Sequence, residues 1–283
     1  MVERTQSKSL YVLHIHQCSG GKFLLSKHES VKAAHSAELP DLTDYDLIRY
    51  DRQIRIFGKE GQRKLKKATV LVAGAGGLGF PASAYLAAAG IGELRIVDSD
   101  VVELSNLNRQ LLHWDKDIGR GKAESAYEKL HQINPSIKIR VYDEEITEES
   151  LPGMMEGVDA VVDAMDNFET RYILNRACLK AGIPFFHGAV RGLSGQATTI
   201  VPGRTACLRC IFPTAPPREI FPILGAVAGT IGTIQATEVI KYLTGIGSLL
   251  ENRLLIYDAV SMSFDLIEVR RDPNCPDCSF LVK

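Results

Sequence analysis

The sequence has almost no excess of charge of either sign. Thirty-three lysine and arginine residues balance 34 aspartate and glutamate residues among 283, which leaves a net charge of −1. Proteins whose general surface binds nucleic acids or acidic membranes carry an excess of basic groups. We therefore expect neither nucleic acid nor a membrane among the partners of this chain.

Low-complexity tracts and internal repeats are also lacking. The composition, 45% hydrophobic and 24% charged, is that of an ordinary globular protein with enough apolar residues for a large core. It excludes a disordered chain, a collagen-like repeat and a coiled-coil rod. The length suits one large domain or two small ones.

No secretory signal is visible, because no basic segment followed by an apolar segment opens the sequence. Two stretches without charged residues, 68–92 and 220–237, are long enough to raise the question of a membrane span. Glycines and Pro81 interrupt the first, and Pro222 and Gln235 lie within the second. The second stretch therefore predicts a buried helix of a soluble protein, and we expect a cytoplasmic location.

Cysteines are few, but four of the six form two Cys-x-x-Cys pairs. The paired residues are Cys207, Cys210, Cys275 and Cys278. Nothing in the sequence indicates the oxidising compartment that disulfides need, whereas two such pairs can hold a zinc ion in a tetrahedral thiolate site. Because the pairs lie far apart in sequence, zinc would join distant segments and hold the C-terminal end to the core. Redox-active cysteines and inert thiols are the alternatives.

Residues 1–40 differ from the rest and are predicted to form an N-terminal extension with a small β-hairpin. Apolar runs flank Ser19-Gly20-Gly21, a pattern typical of a tight turn between two strands. His14 and His16 are interpreted as exposed strand residues rather than metal ligands. Residues 41–283 form the second predicted unit.

From residue 68 onward, apolar runs alternate with helical segments. Because the central runs are apolar on both faces, they indicate an α/β fold with a parallel sheet covered on both sides, of the doubly wound Rossmann type. The run at 137–141 alternates in polarity instead, which suits an edge strand. Strands are predicted at 68–73, 93–98, 137–141 and 158–163, and helices at 82–89, 122–133 and 169–181.

After Pro184 the pattern changes to runs that predict antiparallel strands extending the sheet. A helix lies between them, and its glycines at 225, 229 and 232 predict close packing against another helix or the sheet. The predicted strands are 196–201, 254–257 and 264–269.

A glycine-rich turn follows the first predicted strand. Glycines there allow a tight turn and let backbone N–H groups approach phosphates at a helix N-terminus. Asp98, at the end of the next strand, has the spacing expected of a carboxylate that binds a ribose. Together these features predict an adenine-nucleotide site, and the alternative is a tight turn with an unrelated strand-end aspartate. The turn contains Gly74, Gly76, Gly77 and Gly79.

The polar residues beside this turn favour ATP over NAD. Asn106, Arg109 and Gln110 follow Asp98, and Lys122 begins the next predicted helix. Arg109 and Lys122 supply positive charge suited to a triphosphate. Each has a structural alternative: Arg109 could pair with a surface acid, Lys122 could begin a solvated helix face, and Asn106 could close a turn.

Two carboxylates follow a further strand, at the sheet edge where parallel sheets bind ligands. Asp163 is interpreted as a residue that caps or orients the loop. Asp166 is the better candidate for a Mg²⁺ ligand, since Mg²⁺ prefers hard oxygen ligands that it shares with phosphates.

Together these residues resemble the family of enzymes that activate ubiquitin-like proteins, in the short prokaryotic form that includes MoeB, ThiF and HesA. The resemblance extends over about residues 41–278 and implies a homodimer with residues 41–283 as its adenylation domain. It implies that ATP adenylates the C-terminal glycine of a small ubiquitin-like sulfur carrier ending in Gly-Gly, with release of pyrophosphate. The residues that carry it are Arg49-Tyr50-Asp51-Arg52-Gln53-Ile54, the glycine turn, Asp98, Ser105 to Gln110, Lys122, Asp166-Asn167 and both cysteine pairs.

The resemblance also implies roles for single residues. Asp98 would bind the ribose, Asp166 would hold Mg²⁺, and Arg52 would reach the triphosphate of the neighbouring subunit. A forked, permanently charged arginine suits such a phosphate contact, although a surface ion pair near Asp51 is the alternative for Arg52. The phosphates would be bound by Asn106, Arg109, Gln110 and Lys122.

One feature departs from many members of that family. They carry a cysteine between the first zinc pair and the glycine-containing helix, where it can take the carrier as a thioester, but residues 211–224 contain none. Cys178 lies within a predicted core helix. We therefore expect catalysis to stop at the acyl-adenylate. The carrier would serve a molybdopterin, thiamin or related sulfur-transfer pathway. A nucleotide-binding subunit without activity and an NAD-dependent oxidoreductase are the competing hypotheses.

Overall fold

The computed structural model describes residues 38–216 and 221–281. These residues form an α/β fold around an eight-stranded sheet. The strands are β1 Thr69–Ala73, β2 Glu93–Val97, β3 Lys138–Tyr142, β4 Ala160–Asp163, β5 Phe185–Arg191, β6 Ser194–Ile200, β7 Arg253–Asp258 and β8 Ser263–Glu268. They lie side by side in the order β3-β2-β1-β4-β5-β6-β7-β8. The hairpin predicted within residues 1–40 lies outside the described residues.

The first five strands in that order are parallel, and the last three extend the sheet as antiparallel strands. This arrangement confirms the predicted α/β fold class. Residues 70–73 of β1 are fully buried, because helices cover both faces of the sheet. β3 contains only exposed and half-buried residues and lies at the edge of the sheet, as its sequence pattern predicted.

Helices cover the sheet in two layers. Side chains of α2, α3, α4 and α8 form one apolar core with one face of the sheet, and those of α5 and α6 form a second core on the other face. The helices are α1 Asp44–Arg49, α2 Asp51–Lys67, α3 Gly79–Ala89, α4 Lys122–Ile133, α5 Leu151–Met155, α6 Phe168–Ala181, α7 Leu208–Ile211 and α8 Gly225–Thr244. Within these described ranges, no helix is both long enough and apolar enough to span a bilayer.

The sequence did not predict strand β5 or helices α1 and α2. His187 and Gly188 interrupt the apolar run of β5, yet both residues are buried. Gln235 of α8 occupies the space beside Gly188, where a side chain would otherwise lie. A capping box between Thr43 and Asp46 begins α1 and was a readable signal for a helix start.

Close backbone packing positions α8 across the start of α3. A Cβ atom on Gly232 would lie 2.4 Å from the Leu78 carbonyl oxygen, and one on Gly225 would lie 2.6 Å from the Asn108 carbonyl oxygen. The predicted packing against another helix is confirmed at Gly232, whereas Gly225 packs against the loop at Asn108. It is wrong for Gly229, whose Cβ position has open space around it, because this residue faces away from α3.

Replacing Gly232 with alanine is expected to destabilise the fold by about 1–3 kcal/mol, because the new methyl group overlaps the backbone at the start of α3. Gly229→Ala is the matched control in the same helix. It should stabilise the protein by about 0.5–1 kcal/mol, since alanine forms helices more readily than glycine. Chemical denaturation measures both changes, and equal stability of the two variants would contradict the packing described above.

Candidate functional site

Three parallel strands end side by side and bring the predicted site residues to one edge of the sheet. β1 leads into the glycine turn, β2 into Asp98, and β4 into the loop that carries Asp166. Ala73 at the end of β1 is in register with both Val97 and Asp163. The three loops therefore begin at the same level, at the edge where open parallel sheets bind ligands.

Steric contacts require glycine at two positions of the turn. Gly74 has a φ angle of +102°, and a Cβ atom there would lie 2.7 Å from the Ala164 carbonyl oxygen. A Cβ atom on Gly79 would lie 1.9 Å from the Gly74 carbonyl oxygen. Any side chain at either position would force the turn open. The turn is therefore closed tightly between β1 and α3.

The turn presents backbone amides that have no partner within the described chain. The N–H groups of Gly76, Gly77 and Leu78 donate no hydrogen bond to any described group, and no side chain caps the N-terminus of α3. Free amides at a helix N-terminus bind anions, and the helix dipole adds to the attraction. The geometry of the turn thus fits phosphate groups.

Asp98 is tied to the same turn. Its Oδ2 accepts a hydrogen bond of 2.7 Å from the Ala75 amide, and its Oδ1 accepts one of 2.9 Å from the Asp100 amide. Burial raises the pKa of the Asp98 carboxyl, while the positive charge of Lys122 and the two amides act in the opposite direction. Each carboxylate oxygen has a second lone pair, so both can accept a further hydrogen bond from a ligand.

Lys122 is buried at the start of α4, which excludes the solvated helix face considered as its alternative. Its Nζ lies 2.7 Å from Oδ2 of Asp100. Because Asp100 is two-thirds exposed, water screens this ion pair and it is weak. The ammonium group can therefore exchange Asp100 for a bound anion at little cost.

The polar segment after Asp98 lies against the glycine turn. The Cβ position of Gly76 is 3.5 Å from Nε2 of Gln110, and that of Gly77 is 3.6 Å from Cγ of Arg109. Gln110 is buried, and its Oε1 accepts no hydrogen bond from a described group. These two side chains thus border the same turn, with one buried acceptor unsatisfied.

Asn106 and Arg109 also make contacts within their own segment. Oδ1 of Asn106 accepts a hydrogen bond of 3.1 Å from the Glu103 amide. This bond closes a turn, which was the alternative role considered for Asn106. Arg109 donates to the Ser105 carbonyl and to Oδ1 of Asn108. No acidic residue among those described pairs with Arg109, which is against the surface ion pair proposed as its alternative.

Asp163 and Asp166 have different environments. Asp163 is fully buried and accepts hydrogen bonds from Nδ1 of His187 at 2.7 Å and from the Met165 amide at 3.1 Å, and Arg171 lies 3.3 Å from its Oδ2. Asp163 therefore orients the loop. Asp166 is exposed, and its carboxylate accepts one hydrogen bond of 3.3 Å, from the Asn167 side chain.

Arg52 is not brought into this site within the described chain. It lies in the first turn of α2, is exposed, and forms no hydrogen bond or ion pair with a described residue. Asp51, its neighbour in the proposed alternative, pairs with Arg55 at 3.0 Å instead.

The sequence analysis missed His113, which contacts the turn directly. Its Nε2 lies 3.1 Å from the Ala75 carbonyl oxygen, and the ring is 3% exposed. The available signal was its position three residues after Gln110, where the polar segment folds back toward the turn.

The four paired cysteines form a second site on the far side of α6. Their sulfur atoms all lie within 4.8 Å of one another, with three neighbouring pairs separated by 3.5–3.7 Å. Zinc–sulfur bonds of about 2.3 Å in a tetrahedron place the sulfurs about 3.8 Å apart. The donor set and its spacing therefore fit zinc.

Asn175 of α6 connects the two cysteine pairs through its amide. Its Oδ1 accepts a hydrogen bond of 3.0 Å from the Leu208 amide, and its Nδ2 donates one of 3.0 Å to Asp277. Leu208 follows Cys207, and Asp277 precedes Cys278. One buried side chain thus aligns both pairs on the core, which agrees with the predicted attachment of the C-terminal segment.

Cys178 is a core residue, as the sequence predicted. It lies within α6 and is 1% exposed. Burial, with a smaller contribution from the negative charge of Asp163, raises the pKa of its thiol far above the usual range. A thiol in this state is a poor nucleophile. Cys18 lies outside the described residues.

Most of this chain is similar in sequence to known proteins. A sequence model of the ThiF family matches residues 50–277. The chain is 47% identical over 246 residues to the SAMP-activating enzyme E1 of Haloferax volcanii, covering 84% of this chain and 90% of that protein. It is 41% identical over 249 residues to the sulfur carrier protein adenylyltransferase of Thermus thermophilus, covering 83% and 92%.

Two further likenesses cover less of the other protein. The adenylyltransferase and sulfurtransferase MOCS3 of Drosophila sechellia is 44% identical over 247 residues, and the aligned region is 84% of this chain but only 54% of that protein. A crystal structure of E. coli MccB with ATP superposes with a TM-score of 0.70 at 25% identity, covering 81% of this chain and 74% of that one.

We expect freshly purified, reduced protein to contain about one zinc ion per chain, held by the four thiolates. Cys275→Ala should abolish zinc binding and lower the midpoint of thermal unfolding, because the metal stabilises only the folded chain. Cys178→Ala removes an equally buried thiol outside the cluster and should retain the zinc. Elemental analysis measures both variants, and zinc absent from the unmodified protein would refute the site.

Proposed function

The chain belongs to the ThiF family, and we propose that it is an ATP-dependent adenylyltransferase for a ubiquitin-like sulfur carrier. The enzyme joins AMP to the C-terminal glycine of a carrier ending in Gly-Gly and releases pyrophosphate. The observation that carries this proposal is the set of amides at residues 76–78 without a described partner, together with the buried Lys122, whose charge acts on Asp98 at the same edge. Two relatives named for activating or adenylating enzymes, 47% and 41% identical, support it.

The reaction explains why positive charge gathers at this edge of the sheet. A carboxylate attacks the α-phosphate of ATP, so two anionic groups must approach each other. The site must neutralise their charge and align them. No general base is needed, because a C-terminal carboxylate is already ionised at neutral pH.

We assign the triphosphate to the turn amides and to the side chains that border them. Lys122 exchanges its weak pairing with Asp100 for a phosphate oxygen, and Arg109 turns from its own backbone segment toward the same group. Gln110 and Asn106 add side-chain amides. Asp98 accepts hydrogen bonds from the ribose hydroxyls through its remaining lone pairs.

Asp166 is the residue that would hold Mg²⁺. It is an exposed carboxylate at the carboxyl end of β4, at the level of the glycine turn. A magnesium ion there supplies charge neutralisation to the phosphates. Buried Asp163 takes no part in binding it, because its oxygens already accept hydrogen bonds from His187 and Met165.

Arg52 acts in trans within a homodimer under this proposal. Among the described residues it forms no hydrogen bond or ion pair, and two large apolar residues flank it at a spacing of four. These residues, Ile48 and Ile56, are 80% and 73% exposed. A second copy of the chain covering them would bring Arg52 to the partner's nucleotide.

Catalysis ends at the acyl-adenylate, without a thioester to this chain. Cys178 is buried and protonated, and zinc coordination would blunt the four clustered thiolates. A mixed anhydride with AMP is reactive enough to pass its acyl group directly to an incoming sulfur nucleophile.

Exchange of labelled pyrophosphate into ATP tests the proposed activity. The assay contains ATP, Mg²⁺ and the ubiquitin-fold, Gly-Gly-ending protein that co-purifies with the chain. Lys122→Met should lower the exchange rate by about a hundredfold or more, because one donor to the phosphates is lost. Lys64→Met is the control, since Lys64 also pairs with one exposed carboxylate, that of Glu60, but lies in α2. Absence of carrier-dependent exchange in the unmodified enzyme would refute the proposal.

Mixing two inactive variants tests whether the active sites are shared. Arg52→Ala and Asp166→Ala chains should each be inactive alone, whereas their hybrid dimer contains one complete site. Random mixing in equal amounts should restore about a quarter of the unmodified activity. Subunit exchange is verified by native mass spectrometry. No recovery despite confirmed exchange would show that Arg52 and Asp166 act within the same chain, and an active Arg52→Ala chain would show that Arg52 has no catalytic role.

A further inference from the structure

Ala75, in the middle of the glycine turn, is held by both of its backbone polar groups. Its amide donates to Oδ2 of Asp98 at 2.7 Å, and its carbonyl oxygen lies 3.1 Å from Nε2 of His113. The amides of Gly76, Gly77 and Leu78, which follow, donate to no described group. Both polar groups of Ala75 thus hold the backbone immediately before the amides assigned to phosphate.

The contact between His113 and the Ala75 carbonyl continues into a buried series of hydrogen bonds. Nδ1 of His113 lies 2.9 Å from the Ser125 hydroxyl, which accepts a hydrogen bond of 2.9 Å from Nζ of Lys129. Lys129 also donates a hydrogen bond to Asp117, and all four side chains of this series are buried. These residues come from the loop before α4 and from α4 itself.

Hydrogen-bonding rules fix the tautomer of His113. A carbonyl oxygen only accepts, so Nε2 must carry the proton that is donated to Ala75. Burial, together with the positive charges of Lys122 and Lys129, lowers the pKa of His113 to about 4, so the ring is neutral at physiological pH. Nδ1 is therefore unprotonated and accepts from Ser125, whose oxygen in turn accepts from Lys129.

The orientation of the Ala75 carbonyl determines the direction of the next amide. In a trans peptide unit the C=O and N–H groups point in opposite directions, and the described chain contains no cis peptide bond. A carbonyl directed at His113 thus turns the Gly76 N–H away from it. It also keeps a negatively polarised oxygen away from any anion at the turn.

We propose that His113 is a positioning residue for nucleotide binding, which as its Nε2–H tautomer holds the Ala75 carbonyl back and directs the Gly76 amide toward the phosphates. The inference rests on the proposed function in one respect, that the turn binds ATP. If the ring only filled space in the core, the affinity for ATP would not depend on whether the residue at position 113 donates a hydrogen bond to the Ala75 carbonyl.

The tautomer is measured first, in the unmodified protein. Nitrogen chemical shifts of ¹⁵N-histidine-labelled protein distinguish protonated from unprotonated ring nitrogens, and the His113 signals are assigned by their loss in His113→Gln. We expect a neutral Nε2–H ring at pH 7. A ring protonated at Nδ1 instead would overturn the proposal, because Nε2 would then repel the carbonyl.

Substitutions then separate positioning from packing. Gln places an N–H donor near the position of Nε2, whereas Asn places its amide near Nδ1 and leaves the Ala75 carbonyl without a donor. Calorimetry with ATP and Mg²⁺ should give near-unmodified affinity for His113→Gln and about tenfold weaker binding for His113→Asn. Equal affinities of these two folded variants would overturn the proposal.

A second pair of variants, at Ser125 and Thr198, tests the proposal if the His113 variants do not fold. Ser125→Ala removes the hydroxyl that holds Nδ1, and should weaken ATP binding several-fold with the appearance of the second tautomer. Thr198→Val removes an equally buried hydroxyl, bonded to Leu250, far from the turn, and should leave ATP binding unchanged. Unchanged binding and tautomer in Ser125→Ala would contradict the proposal.

The outcomes distinguish failure of this inference from failure of the proposed function. If the unmodified protein binds ATP without pyrophosphate exchange, the adenylation proposal fails while the affinity series still decides the role of His113. If exchange proceeds and the Gln and Asn variants bind ATP equally, only the positioning role fails.

Discussion

The close approach of three backbone segments around residues 74–79 is the constraint on which the rest of the structure depends. The start of α3 folds against Gly74 so tightly that no Cβ atom fits at Gly79, and α8 crosses the same point at Gly232. The amides of residues 76–78 consequently have no hydrogen-bond partner among the described residues. A row of unpaired donors is costly unless an anion or water satisfies it, and this cost is the physical reason to place the triphosphate there.

The two halves of the sheet divide the remaining tasks. The parallel half brings Asp98, Lys122 and Asp166 to the edge that carries the turn, whereas the antiparallel half continues the sheet beyond the proposed nucleotide site. A buried polar cluster lies where the halves meet: Asp163 at the end of β4 bonds His187 of β5, and Gln235 of α8 donates to the backbone of both strands. These hydrogen bonds hold β4, β5 and α8 together, although Oε1 of Gln235 accepts none from a described group. The cysteine cluster adds a similar restraint at the C-terminal segment through Asn175.

The sequence predicted those features that local chemistry determines. Helix α4 was predicted with the bounds that it has, Lys122–Ile133, because its amphipathic pattern is uninterrupted. The glycine turn and the cysteine pairs were readable because few other residue patterns serve the same chemistry. Strand β5 escaped prediction because its buried His187 and Gly188 are stabilised by a helix far away in sequence. The open space around Gly229, the burial of Lys122 and the contact of His113 with Ala75 likewise depend on tertiary packing, which no local pattern encodes.

Intact-mass spectrometry of a reaction containing the chain, its Gly-Gly-ending carrier, ATP and Mg²⁺ tests the central claim most directly. The account predicts a carrier heavier by one AMP group and an enzyme of unchanged mass, because the adenylate would form at the proposed site and no accessible thiol among the described residues would receive the carrier. An enzyme heavier by the mass of the carrier, released by a thiol reductant, would contradict it, as would an unmodified carrier in a reaction that consumes ATP.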